Sequence, residues 1–264
     1  MTKHCLFVFT TFILCMTCST PETEVDLINF QLDHLILFVQ DEQIKDQLDQ
    51  IFTPADLLQS SHSEQGTLGK YYLFLNANLE LLYPQNDSII EQNEPYFGSS
   101  YQRRWSEDGF AGIGIGLKMK PFDTSAIDFP YHLYQHPNWD TTDYYIMSEV
   151  NQKVGQPLVF IVTPKSEQKV FNSLAEASEE VRPEIRADVM KYLTHPTTIK
   201  RLTKVEFSVP KSVDIGVDNW SILERTSLVS LSQTDHYGLQ ITFDKGIQQQ
   251  SILIDSMRNI TINY

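Results

Sequence analysis

The sequence predicts an α+β protein in which two β-α-β-β-β modules flank an inserted middle segment, with modules at residues 30–100 and 199–264 and the insert at 101–198. Three observations predict it. Residues 30–84 read in the order strand, helix, strand, strand, strand. A unit that small lies near the lower limit for independent folding, so a second unit is needed to complete its sheet. The C-terminal residues repeat the strand spacing of the first unit: "QQSILIDSMRNITINY" lies over "GKYYLFLNANLELLYP", and "IKRLTKVEFSVPKS" over the opening strand. The repeat sets Leu202 against Leu32, Lys204 against His34, Asn259 against Asn78 and Thr261 against Glu80.

Residues 1–18, "MTKHCLFVFTTFILCMTC", differ in kind from the rest. One lysine precedes an apolar run from Leu6 to Met16 that is too short to span a bilayer comfortably and sits where the core of a secretory signal would. Its end, "LCMTC" before "STPETE", resembles a bacterial lipoprotein signal, which implies lipidation at Cys18, export to the cell envelope and membrane contact only through that anchor. Simple cleavage is the alternative. All three cysteines, Cys5, Cys15 and Cys18, lie in this leader. Disulfides, thiolate zinc sites and cysteine nucleophiles are thereby excluded from the remaining chain. Residues 19–29 read as a polar tether.

The first module opens with "FQLDHLILFV", an apolar, β-rich run. "DEQIKDQLDQIF" follows with Ile44, Leu48 and Ile51 at helical spacing and Asp41 as N-cap. After a glycine-bearing loop, "KYYLFLNANLELLYP" reads as two strands around a tight turn at Asn76 to Asn78. On the last strand Leu79, Leu81 and Tyr83 share one face, and Asn78, Glu80 and Leu82 the other. A carboxylate within such a run needs solvent, a partner or a cavity, because an unpaired buried charge is costly. In the middle segment, "GIGIG" has small residues at alternate positions and no helix after it. It reads as a closely packed strand rather than a dinucleotide loop. "QPLVFIVTP" is strand-like, and "SEQKVFNSLAEASEEVRPEIRADVMKYLTHP" is helical in pieces broken at Pro183.

At "LDHLILFV", "HSEQGT" and "FLNANLELLYP" the chain resembles the glyoxalase-like domains of the vicinal-oxygen-chelate superfamily. The resemblance extends over roughly residues 30–264 through "RRW", "GFAGIGI" and "GQPLVFIV". It implies modules whose mixed sheets curl around a cavity. It also implies a divalent ion (Zn, Ni, Mn or Fe) bound by side chains of the first and fourth strands of both modules, polarising adjacent substrate oxygens. Carried over, His34 and Glu80 match metal ligands, and Glu80 and His62 are the candidate catalytic groups. In the second module Lys204 and Thr261 stand where ligands belong, with Glu206 the substitute if the register shifts by two.

Two functions follow. One is a metal-dependent lyase, isomerase or dioxygenase acting on a small substrate with adjacent oxygens. The other is a metal-free small-molecule-binding protein of the same fold, with Glu80 and Lys204 meeting across the cavity. Pairing of modules within one chain or between two copies, as a homodimer, is open. Arg103, Arg104 and Trp105 could clamp an anion or simply pack; His132 and His136 could serve a lid or packing, and His195 a turn. A formal charge of −14 without a basic cluster excludes a nucleic-acid partner. No nucleophile elbow, phosphate loop or "HExxH" occurs.

Overall fold

The computed structural model describes residues 29–40, 42–56, 60–62, 65–97, 101–105, 112–135 and 142–264. The leader with Cys18, the tether up to residue 28, Asp41 and His136 lie outside them. The described chain is α+β as expected, with five α-helices and two mixed sheets. No helix among the described residues is long and apolar enough to cross a membrane.

The first module forms as read. Strand β1 (Asn29–Phe38) leads to helix α1 (Glu42–Asp49), then β2 (Ser60–His62), β3 (Thr67–Leu73) and β4 (Asn78–Pro84), with helix α2 (Asp87–Phe97) after it. The β3 to β4 turn closes with the Phe74 amide donating to the Ala77 carbonyl at 3.0 Å. β4 runs parallel to β1, so the spatial order is β2-β3-β4-β1.

The unit that completes this sheet is not at the C-terminus. Strands β5 (Ile113–Lys120), β6 (Tyr131–Tyr134), β7 (Tyr145–Ser148) and β8 (Leu158–Val162), all from the middle segment, extend it in the order β5-β8-β7-β6. β5 lies antiparallel to β1 and parallel to β8. The two halves therefore share one topology, first strand beside fourth, then third, then second. "GIGIG" opens the first strand of the second half. A short 3-10 turn (Thr124–Ala126) stands between β5 and β6, in the place α1 takes in the first half. This missing helix hid the repeat from sequence inspection.

The C-terminal residues build a separate five-stranded sheet. Its strands are β9 (Leu202–Pro210), β11 (Val229–Thr234), β12 (Gly238–Phe243), β13 (Ser251–Asp255) and β14 (Ile260–Asn263), in the order β11-β9-β12-β14-β13. β14 runs parallel to β12 and antiparallel to β13. "QQSILIDSMRNITINY" thus does correspond to "GKYYLFLNANLELLYP" as third and fourth strands, but its first strand is β12 rather than β9. Helix α5 (Asp218–Glu224) follows β9, and β10 (Thr226–Ser227) crosses back to pair with β1.

One core lies between the two sheets. Leu35, Leu37, Leu79, Leu81, Ile115 and Leu117 of the first meet Val205, Phe207, Leu239, Ile241 and Ile262 of the second, with Trp220 of α5. Alternation along each strand sends the other set of side chains to the opposite face of the first sheet. Helices α3 (Leu174–Glu180) and α4 (Pro183–Tyr192) cover part of that face, and Pro183 starts α4 at its first turn, where a missing amide costs nothing.

Candidate functional site

The face of the first sheet turned away from the second is hollow. A cavity of about 460 Å³ is lined from β1, β3, β4, β7 and β8 on the sheet side and by residues 166–193 on the other. Asp33, His34, His62 and Glu80 all line it, together with Tyr71 and Gln168. Three of the four residues picked from the sequence as site residues, His34, His62 and Glu80, are brought together here; Cys18 lies outside the described residues.

A bulge explains how "LDH" serves the site. Pairing of β1 with β5 shifts between Leu32 and His34. Leu32 and Leu35 both enter the inter-sheet core although two residues separate them. The extra residue lets Asp33 and His34 both line the cavity, as a bulge re-aims side chains. His34 Nδ1 donates to Asp33 Oδ1 at 2.8 Å. Asp33 Oδ2 accepts from the Gln168 amide at 2.8 Å and lies 3.4 Å from Lys118 Nζ. Lys118, buried on β5, also donates to the Gln168 carbonyl at 2.5 Å. Burial alone would lower the His34 pKa, but the hydrogen bond and charge of Asp33, with the charge of Glu80, outweigh it and hold the imidazole above its ordinary value. Burial alone would raise Asp33, and its bonds to His34 and Gln168 with the Lys118 charge hold it below the usual carboxylate value. His34 Nε2 has no partner among the described residues.

Glu80 sits on β4, two residues beyond Asn78, the register partner of His34 on the neighbouring parallel strand. Such diagonal neighbours stand about 7–8 Å apart, enough for a small group between their tips. Glu80 is 5 % exposed, and its carboxylate takes no hydrogen bond among the described residues. His62 Nε2 lies 3.7 Å from Glu80 Oε1 and 3.2 Å from the Tyr71 hydroxyl. His62 ends strand β2 rather than riding a free loop.

Two glycines make the room. A Cβ on Gly116 would stand 2.5 Å from His34 Cε1, and one on Gly69 would stand 2.4 Å from Glu80 Oε1. Each glycine is therefore a requirement of a site side chain rather than of a turn.

The far half of the wall is apolar. Tyr145, Met147, Leu158 and Phe160 line it, and Phe160 meets the His34 ring edge-on at 5.1 Å. Tyr145 is pushed up by burial first, then by the charges of Glu80, Asp143 and Asp33, so its hydroxyl stays protonated.

The expected divalent ion was tested against this donor set. His34 and Glu80 are present with His62 nearby, but the first- and fourth-strand positions of the second half carry Gly114, Gly116, Leu158 and Phe160. No cluster of three or more histidine, cysteine, aspartate or glutamate side chains placed to hold a metal exists among the described residues. The donor set does not fit the four-ligand site.

Other expectations are corrected. Lys204 and Thr261 belong to the second sheet, on β9 and β14, and neither lines the cavity. Lys204 donates to Glu206 at 2.6 Å on the exposed side, so it cannot face Glu80. Arg103, Arg104 and Trp105 do not line the cavity; among the described residues they donate to backbone carbonyls of Gln152, Asn151 and Leu82, tying chain segments together. His195 is a buried structural group, accepting from the Thr53 amide at Nδ1 (3.0 Å) and donating from Nε2 to the Leu73 carbonyl (2.9 Å). Burial first, against the weaker pull of that carbonyl, brings its pKa down to about 4.

Sequence reasoning missed Asp33, Tyr71, Lys118 and Gln168. Asp33 had a signal, its place beside His34. Lys118 and Gln168 had none, since only the pairing of β1 with β5 and the turn after β8 bring them in.

Fold and site together define an α+β protein with paired β-α-β-β-β-type halves in one sheet and a small-molecule cavity that is polar on one side. No family model and no curated protein matches the chain. Among solved structures, it is similar to a hypothetical protein from Staphylococcus aureus with 11 % identity and a TM-score of 0.43, covering 89 % of this chain and 98 % of that one. It is also similar to methylmalonyl-CoA epimerase from Mycobacterium tuberculosis, with 16 % identity and a TM-score of 0.30, covering 51 % of this chain and 89 % of that one.

Proposed function

We propose that this is a glyoxalase-like protein that binds a small molecule with adjacent oxygens, without a divalent ion, between His34 and Glu80. The observation that carries it is Glu80: a carboxylate nine-tenths buried on a cavity wall with no hydrogen bond from the described protein. His62 Nε2, 3.7 Å from Oε1, is outside hydrogen-bond range, so a ligand hydroxyl can supply the bond that the described protein does not. A hydroxyl donating to Glu80, and a neighbouring carbonyl or carboxylate oxygen accepting from His34 Nε2, describe a 2-hydroxy acid or 2-hydroxy ketone. Asp33 accepts from Nδ1, and its charge with that of Glu80 favours the doubly protonated imidazolium, in which Nε2 also donates.

The test is calorimetric titration of 2-hydroxyhexanoate in chelator-containing buffer. Wild type is expected to bind, and both Glu80→Gln and His34→Ala to weaken binding at least tenfold. Equal affinity in all three proteins contradicts the assignment.

A catalytic reading on the same residues is favoured by the Asp33–His34 pair. A held imidazole opposite a carboxylate is an acid and a base across one substrate, the arrangement proton transfer beside a carbonyl requires. Solvent-deuterium exchange into the ligand's α-carbon, lost in Glu80→Gln, would distinguish it from binding alone. The leader supports export and lipidation at Cys18, and mass analysis of the mature N-terminus tests this: an unmodified terminus beyond Cys18 rules it out.

A further inference from the structure

Away from Asp33, His34, His62 and Glu80, part of the cavity wall is supplied by the segment after β8. Phe171, Val181, Ile185, Val189 and Leu193 line it from α3, α4 and their flanks, opposite Leu73 and Phe74 of the sheet side. These side chains are contiguous with a packed apolar cluster that includes Ala177 and Tyr192, so the hairpin of helices is anchored rather than loosely laid on. A cavity of about 460 Å³ is in the range that takes a ligand of drug size, well beyond a head of about six heavy atoms. Ile185 lines it yet is 41 % exposed. At the rim the Arg182 side chain forms no hydrogen bond or ion pair with a described residue, while Lys169 and Glu180 pair at 2.8 Å.

We propose that the ligand is amphipathic: its oxygen-bearing head lies between His34 and Glu80, and an unbranched apolar tail runs under α3 and α4 along Ile185 and Val189. The proposal rests on the head assignment made above and adds the tail and its path. Continuity supports it, since head site and apolar channel are one cavity. So does the helix pair itself, which for all the charges of "SEE" and "RPEIR" turns Val181, Ile185 and Val189 toward the cavity.

The experiment is displacement of bound 1-anilinonaphthalene-8-sulfonate by straight-chain 2-hydroxy acids from four to ten carbons. Affinity is expected to rise about three- to fourfold for each methylene, the burial worth of one CH₂. Ile185→Glu, a rim position whose exposure tolerates charge, is expected to flatten that rise. Glu80→Gln is expected to lower every chain length by a similar factor and leave the slope intact. Binding of the four-carbon acid with no gain from added methylenes overturns the tail and spares the head assignment. A slope unchanged in Ile185→Glu overturns the proposed path. Failure of every acid to bind overturns both.

Discussion

The two halves of the first sheet have the same strand order and the same central pairing, yet they contribute opposite chemistry to the cavity. Residues 29–84 supply Asp33, His34, His62 and Glu80, while residues 113–162 supply Leu158, Phe160, Met147 and a pair of glycines. The symmetry therefore belongs to the fold and not to the site. In the second half, Gly116 gives its side-chain volume to the His34 ring, and Lys118 steadies that ring from below through Asp33. The apolar half thus positions the polar one.

The sharpest break of this arrangement is Asp33→Ala. It strands Lys118, whose side chain is 3 % exposed, without its counter-charge. A loss of about 3–5 kcal/mol is expected from urea unfolding, because an unpaired buried charge is the most costly outcome. In the conservative variant Asp33→Asn, the midpoint of His34 titration, read by NMR, is expected to fall, since the main influence raising it is gone.

Acid is expected to act next, through His195 rather than the cavity. Its folded value of about 4 lies below the unfolded value of about 6.5. The unfolded chain therefore takes up the proton first as pH falls. Stability is full above the unfolded value and declines between it and about 4, by on the order of 2–3 kcal/mol. Denaturant titrations at neutral and acid pH check this, and His195→Phe should remove that part of the slope.

Gly116→Ala tests whether the second half makes room for the first. Its Cβ would overlap the His34 ring, so a cost of about 1–3 kcal/mol from overpacking and a displaced imidazole are expected, visible by thermal unfolding and by the His34 NMR signals. The smallest effect belongs to Lys204→Ala. This residue is half-exposed and paired only with Glu206, so a change within about 0.5 kcal/mol is expected and ligand affinity should not move.

Much of the first module was legible because local signals agreed: β1, α1 and the β3–β4 hairpin each combine the right period with the right turn residues. Glu80 and His34 were legible for the same reason, each standing where an apolar strand should not carry a polar group. The second half was not, because it lacks a full helix between its first and second strands and β6 to β8 are short, while β13 and β14 imitate β3 and β4 closely. Their likeness is real but belongs to a different sheet. Asp33 was visible as a residue and invisible as a cavity group, since only a bulge puts it on the same side as His34. The cavity-facing side of α3 and α4 was hidden by charges: Glu180 and Arg182 line the cavity beside the apolar residues there.

The one-sided site is tested most directly by titrating Zn²⁺, Ni²⁺, Mn²⁺ and Fe²⁺ separately into the full chain, with Glu80→Gln and His34→Ala alongside. No stoichiometric binding that both substitutions abolish is expected, because the second half offers glycine and phenylalanine where two more ligands would be needed. One-to-one binding of any of these ions, lost in both variants, would contradict the one-sided site.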